Sequence, residues 1–233
     1  MLKQTSLKKT AHLAGILYFI LALLGIFSLM YVPPQIGVKG NDAATCQNIV
    51  NKEFLFRLDL AVSVITNVLY IFLAMQFYKL FENVSRNLCR LLVAFVLVQV
   101  PFSFALNTLD MSSLLVLKGD IMKYLTTEEA QKFAILFRRT SIAGTGLMQV
   151  FWGLWLVPMG ILAFKSGFIP RIIGVLVLIT GAAYTVQSLM YILFPEIKNA
   201  MEPYMFPFFF GELSIILYLF IKGVKKDYAG VNL

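Results

Sequence analysis

An all-α polytopic membrane bundle of about six transmembrane helices is the fold class this sequence predicts, and three observations carry it. Hydrophobic residues make up 59% of the 233 positions and charged residues 14%, with a mean hydropathy of +0.80. That is more apolar surface than a soluble core of this size can enclose. Six stretches stay apolar over about 20 residues, the length a helix needs to cross the hydrocarbon. The basic residues behind the net charge of +8 flank those stretches instead of covering one face, which is the bias of a membrane protein and not of a nucleic-acid surface. A single integral-membrane domain over residues 1–233 follows, with membrane lipids as its partners and no nucleic acid; the oligomeric state is not legible.

The first stretch, about 12–32, follows the basic start "MLKQTSLKK". Its apolar core is too long for a signal peptide, and it leaves through "LMYVPP" without a small-x-small cleavage site, so it reads as an uncleaved helix. Gly15, Ala22, Gly25 and Ser28 line it with small residues for close helix packing. The remaining spans are about 57–79, 89–110, 140–164, 171–193 and 204–222, each able to satisfy its backbone amides internally.

Lys3, Lys8, Lys9, Lys79, Arg86, Arg90, Lys165, Arg171, Lys222, Lys225 and Lys226, in short loops and tails, fall on one side, against nine basic residues in the longer connections on the other. The positive-inside rule then places both termini in the cytoplasm of a cell (plasma) membrane. The inner connection "KSGFIPR" has Gly167 to end one helix and Pro170 to start the next. The outer connections, about 33–56 and 111–139, are longer and each should hold a short amphipathic helix. In the second, Thr126 and Glu129 form a capping box, followed by Ala130, Phe133, Ile135 and Phe137 on a helix expected to lie on the outer surface. In the first, Asp42 is the candidate cap. Cys46 and Cys89 fall in connections on opposite sides, which leaves no intrachain disulfide, and neither has metal or redox spacing.

Polar residues three, four and seven apart share a helix face. The second span carries Asp59, Ser63, Thr66, Asn67 and Tyr70, and Arg57 stands at its outer end. The third carries Gln99, Ser103, Asn107 and Asp110. The fourth carries Arg138, Ser141, Thr145, Gln149 and Trp152. The fifth carries Thr180, Tyr184, Gln187, Ser188 and Tyr191. Such stripes serve as helix glue in many membrane proteins, at about 0.6–2 kcal/mol per hydrogen bond. With both termini inside, all four run from mid-bilayer to the outer face, as the wall of an outward-facing pocket would. The carboxylate set in "MFPFFFGELSIILYLF", Glu212, should face the bundle, because an ion in the hydrocarbon costs at least ~2.5–3.5 kcal/mol. Its expected partner is Arg57, Arg138 or Arg139, or a hydrogen bond within the pocket; unpaired and dry, it would take a proton. His12, the one histidine, sits at the inner end of the first span.

Familiar catalytic patterns do not occur. There is no phosphate-cradling glycine loop and no G-x-S-x-G elbow. One histidine and two separated cysteines build no transition-metal site, and no cofactor is expected. The binding candidates are therefore Arg57, Asp59, Asn67, Gln99, Asn107, Asp110, Arg138, Thr145, Gln149, Tyr184, Gln187 and Glu212, facing a small-molecule or lipid ligand. The expected activity is binding or passing a small polar or amphiphilic molecule. The alternatives are an intramembrane enzyme working on a lipid-linked substrate through its carboxylates, and an accessory subunit without a ligand.

The segments "AHLAGILYFI", "NIVNKEFLFRLDL", "GLWLVPMG", "KSGFIPRIIGVL" and "GELSIILYLFIKGVK", in this order along most of the chain, resemble an integral-membrane family of prokaryotes known as domain of unknown function 4386. The resemblance implies a bacterial-type multi-pass membrane protein. It implies no activity and transfers no site residues.

Overall fold

In the computed structural model, residues 2–194, 196 and 210–224 are described. The elements are α1 (Leu2–Ile26), a π-helical turn (Phe27–Tyr31), α2 (Val32–Ile36), α3 (Asp42–Asn51), α4 (Glu53–Phe81), α5 (Arg86–Lys118), α6 (Thr127–Lys165), α7 (Arg171–Leu193) and α8 (Phe210–Ile221). Five segments are long and apolar enough to cross a membrane: Leu7–Ile36, α4, α5, α6 and α7. Of the sixth expected span, 204–222, the first residues lie outside the described ones. The described part, α8, is an apolar helix of 12 residues. Apolar stripes left open on α1, such as Leu13, Ile16, Ile20 and Leu23 at 39–51% exposure, are costly in water and suited to lipid.

The π-helical turn has a local cause. Pro33 and Pro34 open α2 and cannot donate to the carbonyls of Leu29 and Met30, against which their rings would also press. Widening the preceding turn relieves that clash, and Val32 N–H reaches back to Phe27 O. The helix then continues instead of breaking.

Two sequence expectations change in the long connections 33–56 and 111–139. The Thr126–Glu129 capping box forms as read: Thr126 N–H donates to Glu129 Oε2 at 2.8 Å, and Glu129 N–H to Thr126 Oγ1 at 3.3 Å. The helix it opens, however, is no separate surface element. It runs through Arg138 and Arg139 into the apolar span as one helix of 39 residues, because nothing between Thr127 and Ala143 breaks an i→i−4 ladder. The cap of α3 is Asn41, with extended backbone angles and its side chain accepting from Ala44 N–H at 2.9 Å. Asp42 is the first helical residue, free to form an ion pair elsewhere. At the other connection Gly167 takes a positive φ of 72° after Lys165, and Pro170 is the N-cap of α7. Both follow from the steric freedom of one and the fixed φ of the other.

The chain contributes to two compact units. Unit 1 comprises 1–21, 69–99 and 147–233, and unit 2 comprises 22–68 and 100–146. The described core of unit 1 is aromatic: Tyr18, Phe77, Phe81, Trp155 and Phe168 are all at most 2% exposed, with Phe81 stacked on Phe168 at 5.6 Å between ring centroids. Glycines set how closely its helices approach. A Cβ at Gly174 would lie 2.6 Å from Phe164 N and 2.9 Å from Gly160 O, and one at Gly181 would lie 3.0 Å from Gly153 O; α6 and α7 therefore meet backbone to backbone. Gly15 lies on the Leu219–Phe220 backbone in the same way, and the His12 ring bonds the Phe220 carbonyl at 3.2 Å.

Unit 2 has its own small core, Val32, Ile36, Ile49, Phe56 and Leu114. Beside it Cys46 packs against Ala134 and Ile135. Cys46 and Cys89 are both buried, free thiols in helices. Burial, with Asp42 negative nearby, pushes the Cys46 thiol above its ordinary range. Only a thiolate attacks a maleimide, so Cys46 should stay unlabelled in the folded protein at neutral pH and react once denatured, as mass spectrometry of the labelled peptide would show.

Candidate functional site

The polar stripes meet one another, each inside its own unit. In unit 2, Asn107 Nδ2 donates to Ser63 Oγ at 2.9 Å, and Asn67 Nδ2 to Ser103 Oγ at 2.8 Å and to Ser63 O at 2.8 Å. The stripe spacing of α4 and α5 is what allows these contacts: Ser63 and Asn67 are one turn apart, as are Ser103 and Asn107, so two rungs form between the same two faces.

Asp110, one turn further along α5, is the centre of a denser group. Arg138 Nη1 donates to its Oδ1 at 2.8 Å and Ser141 Oγ to its Oδ2 at 2.7 Å. The Arg138 and Asp110 side chains are only 16% and 13% exposed, and the guanidinium lies over the Phe56 ring, 5.6 Å from its centroid. Charge, hydrogen bonds and cation–π contact thus fall on one arginine. Thr145, next on the α6 stripe, turns back to Ser141 O at 3.0 Å. Asp59 of α4 is within electrostatic reach of both Arg138 and Asp110, with Ser28 of the π-helical turn beside it. Both Oδ1 and Ser28 Oγ are buried; Ser28 is the hydroxyl close enough to hydrogen-bond Asp59, and neither atom has a partner of full hydrogen-bond geometry among the described residues.

Arg57, Arg138 and Arg139 do not pair with Glu212. Arg57 Nε donates to Glu53 at 2.7 Å, where Lys118 also lands at 3.0 Å, and Arg139 pairs with Asp42 at 2.9 Å. Each arginine of the expected set has a carboxylate within its own unit. The reason is proximity: Glu53 is one helical turn before Arg57, and Asp110 and Asp42 sit on elements packed against α6.

In unit 1, Glu212 is held by phenols. Tyr18 donates to Oε1, and Tyr184 donates to Oε2 at 3.4 Å. Tyr18 was missing from the sequence reading, because α1 shows no polar stripe there; a lone Tyr in an apolar span has the same signature as a lipid-facing one. Gln149 Nε2 donates to Gln187 Oε1 at 2.7 Å, joining α6 and α7. Gln99 is 3% exposed, and its Oε1 has no partner among the described residues. Among the described residues no three His, Cys, Asp or Glu gather as metal ligands.

A cavity of about 680 Å³ lies among α3, the end of α5 and the start of α6, lined by Asn41, Gln47, Asn51, Lys118, Met122 and Gln131 among others. The sequence does not show it, since its walls come from the two long connections, 33–56 and 111–139, whose packing against each other no periodicity encodes. Met122 on its rim has a positive φ of 56°, an uncommon state for a side chain of that size.

Among the described residues, five helices long and apolar enough to cross a membrane, with polar groups matched between helices, define an integral-membrane protein built as a helical bundle. A family described as Domain of unknown function (DUF4386) matches residues 13–223, and the chain belongs to that family. It is also similar to an "Uncharacterized protein" of Archaeoglobus fulgidus, 32% identical over 79 residues; that alignment covers 34% of this chain and 46% of the relative. No solved structure matches the chain.

Proposed function

We propose that this chain binds a small polar or amphiphilic molecule within the membrane, at the polar group around Asp59, Asp110 and Arg138. In this reading the group opens toward the outer leaflet of the plasma membrane, and both termini are cytoplasmic. One observation carries it: Asp59 is a carboxylate buried among helices with Ser28 as its near hydroxyl and Arg138 and Asp110 within electrostatic reach, and neither its Oδ1 nor Ser28 Oγ has a partner of full hydrogen-bond geometry among the described residues. A buried acceptor left unmet costs about 1–3 kcal/mol, and a ligand that donates a hydrogen bond there removes the cost. Both oxygens accept and the Ser28 hydroxyl also donates, so the fitting ligand carries an O–H or N–H, as a hydroxylated or amino-bearing solute or lipid headgroup does. Ser28 sits in the π-helical turn, a deviation that recurs at functional sites in membrane and soluble helices.

The second reading, an accessory subunit without a ligand, is favoured by the Ser63–Asn107, Asn67–Ser103 and Gln149–Gln187 pairs, which do what interhelical glue does. Native mass spectrometry of protein released gently from its own membrane separates the two. Wild type should retain a small molecule that Asp59→Leu loses while melting at or above the wild-type temperature. Wild type bare, with Asp59→Leu stabilised, is the outcome for glue and overturns the proposal. For sidedness, Lys123→Cys should react with an impermeant maleimide on intact cells and Asn83→Cys should not; both positions are exposed, and the two natural thiols are buried.

A further inference from the structure

We infer that Glu212 is a proton-binding site: unit 1 holds its carboxyl as a neutral acid between phenols, where it takes and releases one proton with no ionic partner among the described residues. The placement starts with Gly211, whose Cα lies so close to the Leu176 backbone and Thr180 that no Cβ would fit. That contact brings the first turn of α8 onto the α7 face carrying Leu176, Thr180 and Tyr184 at successive turns, and so sets Glu212 beside Tyr184. Glu212 is partly exposed as a residue, while its carboxyl is surrounded by protein.

The titratable groups facing that carboxyl are Tyr18 from α1, Tyr70 from α4 and Tyr184 from α7. Helix α6 contributes indoles and no titratable group: Trp155 packs on Tyr18 and Tyr70 at 5.6 and 5.7 Å between centroids, and Trp152 on Tyr184 at 6.1 Å. Among the described residues no lysine, arginine or histidine pairs with Glu212. The carboxylates that do have cations are Glu53, Asp42, Asp110 and Glu128, and His12 bonds a backbone carbonyl.

Among the described residues a carboxylate here has its charge offset by phenol dipoles, which is weaker than ion pairing and far weaker than water. A proton removes the charge altogether. Phenols suit both states: two O–H donors serve the anion, and a phenol oxygen accepts from the acid's O–H while the other phenol still donates. The same side chains therefore hold the group on either side of the transfer. An organic ammonium is disfavoured as occupant by packing. Tyr18 and Trp155 are 2% and 1% exposed and their rings touch, which leaves no gap the width of a cation between them.

Infrared difference spectroscopy of the full chain in lipid at neutral pH tests this, read as wild type minus Glu212→Gln. The expected result is a protonated-carboxyl C=O band present in wild type, absent from Glu212→Gln and weakening as pH rises; Tyr18→Phe, which keeps the ring, should shift it and so covers the case in which Glu212→Gln does not fold. A matching gain only in carboxylate bands, with no protonated-carboxyl band assignable to Glu212, overturns the inference. So does a band converted to carboxylate by tetramethylammonium, which would make the occupant a cation. Dicyclohexylcarbodiimide, whose addition needs a protonated carboxyl in an apolar place, should modify Glu212 several-fold faster than the ion-paired Asp110. None of these outcomes bears on Asp59.

Discussion

Asp110→Leu should destabilise the protein by about 3–5 kcal/mol, because it strands the Arg138 guanidinium where the side chain is 16% exposed. Asp59 stands within electrostatic reach of that guanidinium and can take over part of the pairing. The single change is therefore expected at the lower end of that range, and the upper end when Asp59→Leu is added. Removing both charges of the central pair, Asp110→Leu with Arg138→Met, should recover most of the stability, since an apolar pair of similar volume has no desolvation to offset. Unfolding in mixed micelles, arranged as a double-mutant cycle, should give a coupling between Asp110 and Arg138 of about 1–3 kcal/mol. The Glu128–Lys132 pair, with side chains 76% and 71% exposed, is the control: Glu128→Ala should change stability by less than about 0.5 kcal/mol. Single changes at Asp110 as small as that would show the pair to be solvated and the cluster to be surface.

The second large effect is expected at the α6–α7 crossing. Gly174→Val places a branched side chain where a Cβ already meets Phe164 N at 2.6 Å and Gly160 O at 2.9 Å. These are backbone atoms of a helix, which cannot yield as a side-chain tip can, so the helices must separate. Overpacking usually costs about 1–3 kcal/mol; with backbone on both sides the upper end or beyond is expected, with loss of the Gln149–Gln187 bond between the same helices. Gly25, with nothing within 4 Å of a built Cβ, is the comparison. Gly25→Ala should be neutral or stabilising by up to about 1 kcal/mol, the helix-propensity difference. Melting temperature and monodispersity in detergent read both. A Gly174→Val protein that melts like wild type would mean that α6 and α7 do not touch there.

What could be read from the chain alone was whatever depends on neighbours along it. Spans are legible because a helix closes its own hydrogen bonds, so an apolar run of the right length is enough. The capping box at Thr126 and the Gly167–Pro170 punctuation are equally local. The stripes of α4 and α5 were legible too, since one helical period puts Ser63 beside Asn67 and Ser103 beside Asn107. The end of the amphipathic helix that Thr126 caps was misplaced because hydropathy changes at Thr140 while the backbone ladder does not.

Partner choice was decided only in three dimensions. Arg57, Arg138 and Arg139 were equally good candidates for Glu212 by charge, yet each found a nearer carboxylate, and Glu212 found Tyr18, 194 positions away. Coulomb attraction and hydrogen bonding fall off over a few ångströms, so which of several matching groups wins depends on packing that no sequence period encodes. The glycine contacts between α6 and α7 are the same case: any glycine is permissive in a sequence, and only the helix lying against it shows that a larger residue could not be there.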